Sequence, residues 1–387
     1  MLAVNAGLWW NAREQLRAGY QDFTTFYAAG RILCSGEGSR LYDSALQRQV
    51  EQQFAPDPVL HKGFLPYIHP PIEAVIFLLL AKLPYFVAYL LWDAINILAM
   101  ALGVLLMRRN LPRARGEPAW LLILAGLAFF PVFTTLLQGQ DDLLLFLFFA
   151  RAYSAMRDKR DFAAGCWLGL ATFRFQLVLP LILLLLLRKA GKLIGGFTVV
   201  AGLLGLASIA TVGWQAALHY PSYVMQVSRI SIGPLVPVLM PNLRGLVDLV
   251  LRRPDSRPLN VGVTLMMSAG LLWSASRRWK TSPLDLLDLS WSLGIIAALL
   301  ASYYTYLYDL SLLLIPILLI ANQCQNRTLR NLPRLSLLPL LVLFVAPLIA
   351  ACFQLKMAFL ITLLLLISFW GLNGQISTAP TRQPSDG

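Results

Sequence analysis

The chain has 387 residues, of which 58% are hydrophobic and only 13% are charged, and its mean hydropathy is +0.65. Soluble domains carry about 25% charged residues, so this composition excludes an ordinary soluble globular protein. The net charge of +13 would suit a nucleic-acid-binding protein. However, about half of the basic residues lie in short clusters between apolar runs, which is the positive-inside pattern of cytoplasmic loops. The expected partner is therefore a lipid bilayer, and no nucleic acid is expected.

Eleven apolar runs predict an all-α, polytopic transmembrane helical bundle with about eleven membrane helices. Backbone polar groups in hydrocarbon must be satisfied within the protein, and a helix does this within each run. Several runs are shorter than the ~20 residues of a full crossing, so broken or tilted helices around a cavity are expected. In chain order the runs are Pro84–Met107, Ala119–Leu137, Leu143–Met156, Phe162–Phe173, Phe175–Leu187, Leu193–Val212, Val261–Ser276, Leu284–Ser302, Leu310–Asn322, Leu335–Phe353 and Leu355–Trp370.

The basic clusters set the predicted domain organisation, because all of them fall on one side of these crossings. Residues 1–19 are interpreted as a start region or the remnant of a first membrane helix, since the apolar run Met1–Trp10 is too short to cross. Residues 20–71 form a large first outer loop. Residues 72–372 form the bundle, with a second outer segment at 214–258. Residues 373–387 are polar and rich in Pro and Ser, which predicts a disordered tail.

The polar segment 20–71 is the first candidate for a catalytic or binding site. It is rich in Asp, Arg, Tyr and His, and it ends in His69-Pro70-Pro71 just before the bundle. The four cysteines are scattered without Cys-x-x-Cys or Cys/His ligand spacing, so neither a disulfide framework nor a metal site is predicted from them. The first candidate residues are Asp22, Tyr27, Arg31, Tyr42, Asp43 and His69.

A series of short motifs runs through residues 20 to about 320, and each motif is weak alone. They are Asp22-Phe23 with Phe26–Gly30, Leu41-Tyr42-Asp43, Tyr67 with His69-Pro70-Pro71, Trp92, Gln138-Gly139-Gln140, Ala164-Gly165, Gly169-Leu170-Ala171, Arg174-Phe175-Gln176 and Tyr308-Asp309-Leu310. In order and spacing the set resembles GT-C class integral membrane glycosyltransferases, in particular the bacterial family similar to polyprenyl-phosphate-mannose-dependent alpha-mannosyltransferases. The chain departs from that family by lacking the usual first membrane helix and by having Arg174 where Lys is common.

The resemblance implies a GT-C fold in the bacterial inner membrane with an active site facing outward. It implies transfer of a hexose, mannose in particular, from a polyprenyl-phosphate sugar to a glycan or glycolipid acceptor, with inversion. No cofactor is expected, and Asp141-Asp142 is the pair that a divalent metal would have to use. A second interpretation of that pair is a favourable interaction with the dipole of the following helix.

Asp22 is the candidate general base. A phosphate is already a good leaving group, so the reaction needs one base for the acceptor hydroxyl and cations for the phosphate. The alternative is structural, because Asp is also a favoured N-cap for the helix expected to start at Phe23.

Arg174 is the candidate for binding the donor phosphate. It interrupts two apolar runs, where an ionisable residue is a functional hypothesis by default, and guanidinium can bind phosphate with two hydrogen bonds. A structural ion pair or snorkelling to the interface is the alternative. Arg31 is a second candidate for the same phosphate, although a solvated loop arginine is the simpler interpretation.

The remaining candidates are assigned to substrate binding, each with a structural alternative. His69 could bind sugar hydroxyls or be an interfacial histidine bonded to backbone. The two glutamines could bind a sugar or cap helices, and the aromatic segment before Asp309 could be an ordinary interfacial belt. Asp309 itself could pair with Arg174 or touch the acceptor. The full set is Tyr27, Tyr42, His69, Gln138, Gln140, Gln176, Tyr308 and Asp309.

A transporter or flippase of lipid-linked sugars is the alternative function. It would need cationic residues along a path across the bilayer, whereas an enzyme needs a base such as Asp22 in a large outer segment. The sequence favours the enzyme because only Arg151 and Arg174 are deep in apolar runs.

Overall fold

The computed structural model describes residues 1–55, 65–112, 114–229, 237–251, 257–281, 286–324, 332–345 and 357–378. This part of the chain is helical and contains no strand, so the all-α prediction is confirmed. The helices are α1 Leu2–Arg17, α2 Phe23–Cys34, α3 Ser44–Glu51, α4 Pro71–Ile76, α5 Tyr85–Asn110, α6 Ala119–Ala128, α7 Phe130–Gln138, α8 Asp142–Arg157, α9 Asp161–Leu170, α10 Phe175–Leu187, α11 Gly191–Val212, α12 Trp214–Arg229, α13 Leu243–Leu251, α14 Arg257–Thr281, α15 Leu287–Ala301, α16 Leu314–Cys324, α17 Leu332–Val342 and α18 Met357–Thr378.

The predicted number of eleven crossings is not confirmed. By length and hydropathy, five helical stretches in the described ranges could cross a membrane, or six if the bent pair α6–α7 counts as one. The difference comes from helix length, since apolar helices such as α15, with 15 residues, are shorter than the ~20 residues of a crossing. The predicted runs at 335–353 and 355–370 lie partly outside the described residues.

Helices α9 and α10 form a return, with a 3-10 turn at Ala171–Arg174 between them. Length and composition alone count the two helices as one span of 27 residues. The packing contradicts this, because α9 and α11 run parallel: Gly196 lies against the backbone of Phe162, and Gly169 lies against Val200, further along both helices. Since α11 follows α10, the chain must come back along α10. Arg174 therefore lies at the apex, as the sequence predicts.

Helices α6 and α7 meet at a bend of 70°. Pro131 lies in the first turn of α7, where its missing N–H and fixed φ are tolerated, whereas in an unbroken helix it would clash with the preceding turn. Helix α7 then ends after nine residues at Gly139, whose φ of +64° is left-handed. This early end places Gln138 and Gln140 beside the start of α2.

The two predicted outer segments are largely helical where the structure describes them. Residues 20–55 contain α2 and α3, and they share a hydrophobic core with α4, α5 and α12. The segment 214–258 contains α12 and α13. At the other end of the chain, α18 continues to Thr378, with Asn373 buried in it. The predicted tail at 373–387 therefore starts within a helix, and its residues 379–387 lie outside the described part.

Candidate active site

Predicted site residues from five distant parts of the chain meet at one end of the bundle, beside the apex of the α9–α10 return. A polar cavity of about 50 Å³ lies there, and its lining includes His69, Arg174, Gln176, Tyr308 and Asp309. A water needs about 10–15 Å³ of such volume, so the cavity as it stands holds only a few waters. A sugar phosphate would require its tyrosine-lined side to open.

Arg174 is the centre of this cluster, and its guanidinium is already paired. Its Nε donates to Oδ1 of Asp141 at 2.6 Å, and its Nη2 lies 2.6 Å from the same oxygen. Asp142 Oδ2 is 3.8 Å from Nη2. Arg174 is 3% exposed and both aspartates are fully buried, so the ion pair is part of the folded core. The direct partners are thus Asp141 and Asp142, where the sequence suggested Asp309.

Asp22 lies just before α2 and faces Gln140 across the junction with α7. Gln140 Nε2 donates to Asp22 Oδ2 at 2.7 Å, and the backbone N–H of Asp22 donates to Gln138 Oε1 at 3.2 Å. Asp22 has helical backbone angles, and its side chain makes no capping hydrogen bond to α2. The capping alternative is therefore not supported. Burial raises the pKa of Asp22, while Gln140, His69 and Arg174 oppose that shift.

Gly139 allows α2 and α7 to approach this closely. Its φ of +64° is left-handed, which other residues adopt only at a cost. A Cβ at this position would also lie 2.7 Å from Cβ of Phe23. In addition, Trp92 Nε1 donates to the carbonyl of Gly139 at 2.9 Å. The turn that carries Gln138 and Gln140 is thereby fixed against the residue that follows Asp22.

His69 is paired with Glu73, one helical turn further along the chain. His69 Nδ1 lies 3.1 Å from Glu73 Oε2. Burial lowers the pKa of His69 to about 3 and raises the pKa of Glu73 to about 8, so a neutral pair is favoured near pH 7. The sequence interpretation overlooked Glu73. The available signal was an acid within an apolar run, four residues after a suspected histidine.

Tyr308 and Asp309 also line the cavity. The guanidinium carbon of Arg174 is 5.8 Å from the centre of the Tyr308 ring, within the range of a cation–π contact. Asp309 Oδ2 accepts from the backbone N–H of Tyr306 at 2.5 Å. The aromatic segment thus contributes to the cluster as well as to the surface.

Several predicted residues serve the surrounding structure. Tyr27 donates to the carbonyl of Leu83 at 2.7 Å, and Tyr42 donates to the carbonyl of His69 at 2.8 Å, so Tyr42 holds the His69 backbone. Asp43 caps α3 by accepting from two backbone N–H groups. Arg31 is exposed. Nine residues of helix separate it from Asp22, which is two and a half turns, so it lies on the opposite face and is not brought to the cavity.

Five carboxyl groups surround the single guanidinium. They are Asp22, Glu73, Asp141, Asp142 and Asp309, and each interacts electrostatically with Arg174. Burial raises the pKa of Glu73, Asp141, Asp142 and Asp309, and the neighbouring carboxyl groups Glu73 and Asp309 add to this for Asp141 and Asp142, respectively, which favours protonation within the cluster. Protonation of that kind limits the repulsion between neighbouring carboxylates. Within the described residues, no three His, Cys, Asp or Glu side chains are arranged to hold a metal ion, and the expectation that transfer needs no metal stays a prediction.

An apolar groove begins directly beside the polar cavity. Its volume is about 280 Å³, and Phe173 lines both the groove and the cavity. The groove is lined by residues of α4, α8, α9 and α11, among them Ile72, Leu144, Phe148 and Leu204, and Glu73 is its one charged lining residue. The site therefore joins a polar end to an apolar end.

One of three comparisons with known proteins identifies the family of this chain. The sequence model of glycosyltransferase family 87 matches residues 67–303. This is more than half of the chain, so the chain belongs to glycosyltransferase family 87 and is a membrane glycosyltransferase consistent with the GT-C type. Comparison with curated proteins and with solved structures gave no match.

Proposed function

We propose that this family 87 glycosyltransferase transfers a hexose, mannose in particular, from a polyprenyl-phosphate sugar to a glycan or glycolipid acceptor on the non-cytoplasmic face of a bacterial inner membrane. The observation that carries the proposal is the junction at Phe173, where a groove suited to an isoprenoid chain meets a cavity that contains Arg174. A water-soluble nucleotide sugar has no lipid chain that would occupy the apolar groove. The family assignment favours this enzyme over a transporter without catalysis.

The donor phosphate is placed against Arg174 in this proposal. Two of the three guanidinium nitrogens are engaged by Asp141 and Gln140. Within the described part of the chain, Nη1 makes no hydrogen bond. A phosphate oxygen could therefore bind Nη1 without breaking the ion pair. The raised pKa values of the surrounding carboxyl groups favour their neutral forms, which reduces the negative charge that such a phosphate would meet.

Asp22 is the general base that deprotonates the acceptor hydroxyl. The hydroxyl oxygen then attacks the anomeric carbon from the side opposite the phosphate, the carbon–oxygen bond to the phosphate breaks, and the configuration inverts. The bond electrons leave on the phosphate, which is stable as an anion and needs no general acid. The proton remains on Asp22 until it is passed to solvent.

The experiment is transfer by the purified protein in lipid nanodiscs, with radiolabelled polyprenyl-phosphate mannose, polyprenyl-phosphate glucose and the matching nucleotide sugars as donors. The proposal expects transfer from a polyprenyl-phosphate sugar only, with a product of inverted configuration. Arg174→Lys should keep part of the activity, because charge is retained while the planar fork is lost. Transfer from a nucleotide sugar alone, or a retained configuration, would overturn the proposal.

A further inference from the structure

Gln140 joins Asp22 to Arg174 through the two ends of one amide. Its Nε2 donates to Asp22 Oδ2 at 2.7 Å, and its Oε1 accepts a hydrogen bond from Arg174 Nη2. The side chain is 2% exposed, and the backbone N–H donates to the carbonyl of Thr135 at 2.9 Å. Gln140 is therefore held at its backbone and at both ends of its side chain.

The chemistry of the two partners fixes the direction of this amide. A guanidinium has donors and no acceptor, so the atom of Gln140 that faces Arg174 must be the oxygen. The amide NH₂ then necessarily faces Asp22, and it can only donate. Oδ2 of Asp22 must therefore present a lone pair in that direction. A hydrogen bond of this kind is roughly twice as strong when the acceptor is ionised, so it favours the carboxylate.

We infer that Gln140 is a positioning residue whose amide, oriented by Arg174, holds Asp22 in one rotamer with Oδ2 as an unprotonated acceptor. The inference rests on the proposed role of Asp22 as the base of sugar transfer. In this role Gln140 keeps the Asp22 carboxylate deprotonated, so that it can accept the proton of the acceptor hydroxyl. The same amide explains how Arg174 influences Asp22 without contacting it. A contact between Gln140 and a sugar hydroxyl is not required.

The other groups that act on Asp22 keep their chemical identity when Gln140 is substituted, and Arg174 is the one among them that contacts Gln140. The charged or ionisable side chains that act on it are His69, Arg174 and Asp309, and three phenols interact with it as well: Tyr85, Tyr306 and Tyr308. None of these side chains is altered by a substitution at Gln140. A change in the protonation of Asp22 in such a variant therefore reports on the amide.

The direct test measures the protonation of Asp22 without any substrate. A hydrophobic carbodiimide reacts with protonated carboxyl groups, and peptide mass spectrometry locates the labelled residue. In Gln140→Glu, the new carboxylate accepts from Arg174 but cannot donate to Asp22, and its charge repels an ionised Asp22, so the protonated form of Asp22 is favoured. The pH of half-labelling of Asp22 should rise by about one to two units relative to wild type, since a hydrogen bond to a charged group is typically worth that much.

Two further variants complete the design. Gln140→Met has a similar volume and neither donor nor acceptor, so the half-labelling pH should rise there as well, which keeps the test valid if the Glu variant does not fold. Gln52→Glu introduces the same change at an exposed position and should leave the labelling of Asp22 unchanged. An unchanged half-labelling pH in both Gln140 variants would overturn the inference.

The pH dependence of kcat for transfer from radiolabelled polyprenyl-phosphate mannose separates this inference from the proposed function. In Gln140→Glu, the acidic limb of the profile should move upward with the labelling curve, and activity should recover at high pH. A change in KM alone would mean that Gln140 binds substrate and does not position Asp22. If labelling shifts but Asp22→Asn is fully active, the amide contact stands and the proposed base does not.

Discussion

Removing the charge of Arg174 should destabilise the fold more than removing its principal partner. In Arg174→Met, which largely keeps the volume, Asp141 and Asp142 would remain in the core without a cation. Breaking a buried ion pair from one side costs about 3–5 kcal/mol. In Asp141→Asn, the amide oxygen can still accept from Nε, and Asp142 remains 3.8 Å from Nη2. We therefore expect a smaller loss, about 1–2 kcal/mol.

The assay is unfolding in mixed micelles by a denaturing detergent, followed by the fluorescence of the ten tryptophans. The double variant should be more stable than the sum of the two single losses predicts, by about 1–3 kcal/mol, because the residues are in direct contact. Arg160→Met is the matched control at an exposed arginine and should change stability by less than about 0.5 kcal/mol. Additive losses, or an Arg174→Met protein as stable as wild type, would refute the view that the ion pair is part of the core.

Three further predictions concern the backbone, the pH and the membrane. Gly139→Ala should lower both stability and transfer, because it adds a 2.7 Å contact with Phe23 to the strain of a positive φ. The control Gly36→Ala, with φ +78° and open space around it, should show the strain alone, about 1–2 kcal/mol. Equal losses of stability in thermal unfolding would contradict this prediction. The raised pKa of Glu73 means that the folded state favours its protonated form. The stability of wild type relative to Glu73→Gln should therefore fall as pH rises from 4.5 through about 8, as measured by unfolding curves of both proteins across the range. Taking this difference removes the opposing effect of His69 and the similar effect of Glu51, which both proteins share. In a Cys34→Ala background, Ser39→Cys should react with an impermeant thiol reagent from the outside and Lys159→Cys from the cytoplasm; reaction of Ser39→Cys from the cytoplasm alone would reverse the proposed orientation.

Composition and spacing were sufficient for the helical class and for the position of Arg174. An arginine between two apolar runs has few places other than an interface or a turn, and the packing of α9 against α11 places it at the turn. The number of membrane crossings is harder to predict from the sequence, because hydropathy detects apolar runs but does not show how long a continuous helix each run forms. Apolar helices of 15 residues such as α15 look like spans in the sequence.

The contacts of the site were not accessible from the sequence. The sequence suggests that Asp141 interacts with a helix dipole or binds a metal. Its ion pair with Arg174 depends instead on how the start of α8 packs against the apex of the α9–α10 return, more than 30 residues further along the chain. Glu73 is the exception, because its spacing of four residues from His69 is a local signal for this pair. For Asp22, helix-capping preference and the family motif gave competing predictions, and only the absence of a side-chain cap in the structure favoured the motif.

The central claim is that Asp22 is the base of sugar transfer, and Asp22→Asn tests it most directly. Asn preserves the size of the side chain, and its oxygen can still accept from Gln140 Nε2, so the variant should unfold like wild type and bind the donor normally. Loss of a general base typically costs about 10²–10⁴ in rate. We therefore predict that single-turnover transfer from bound polyprenyl-phosphate mannose is at least about a hundredfold slower in the variant. An Asp22→Asn protein that folds, binds donor and transfers sugar at the wild-type rate would contradict the account.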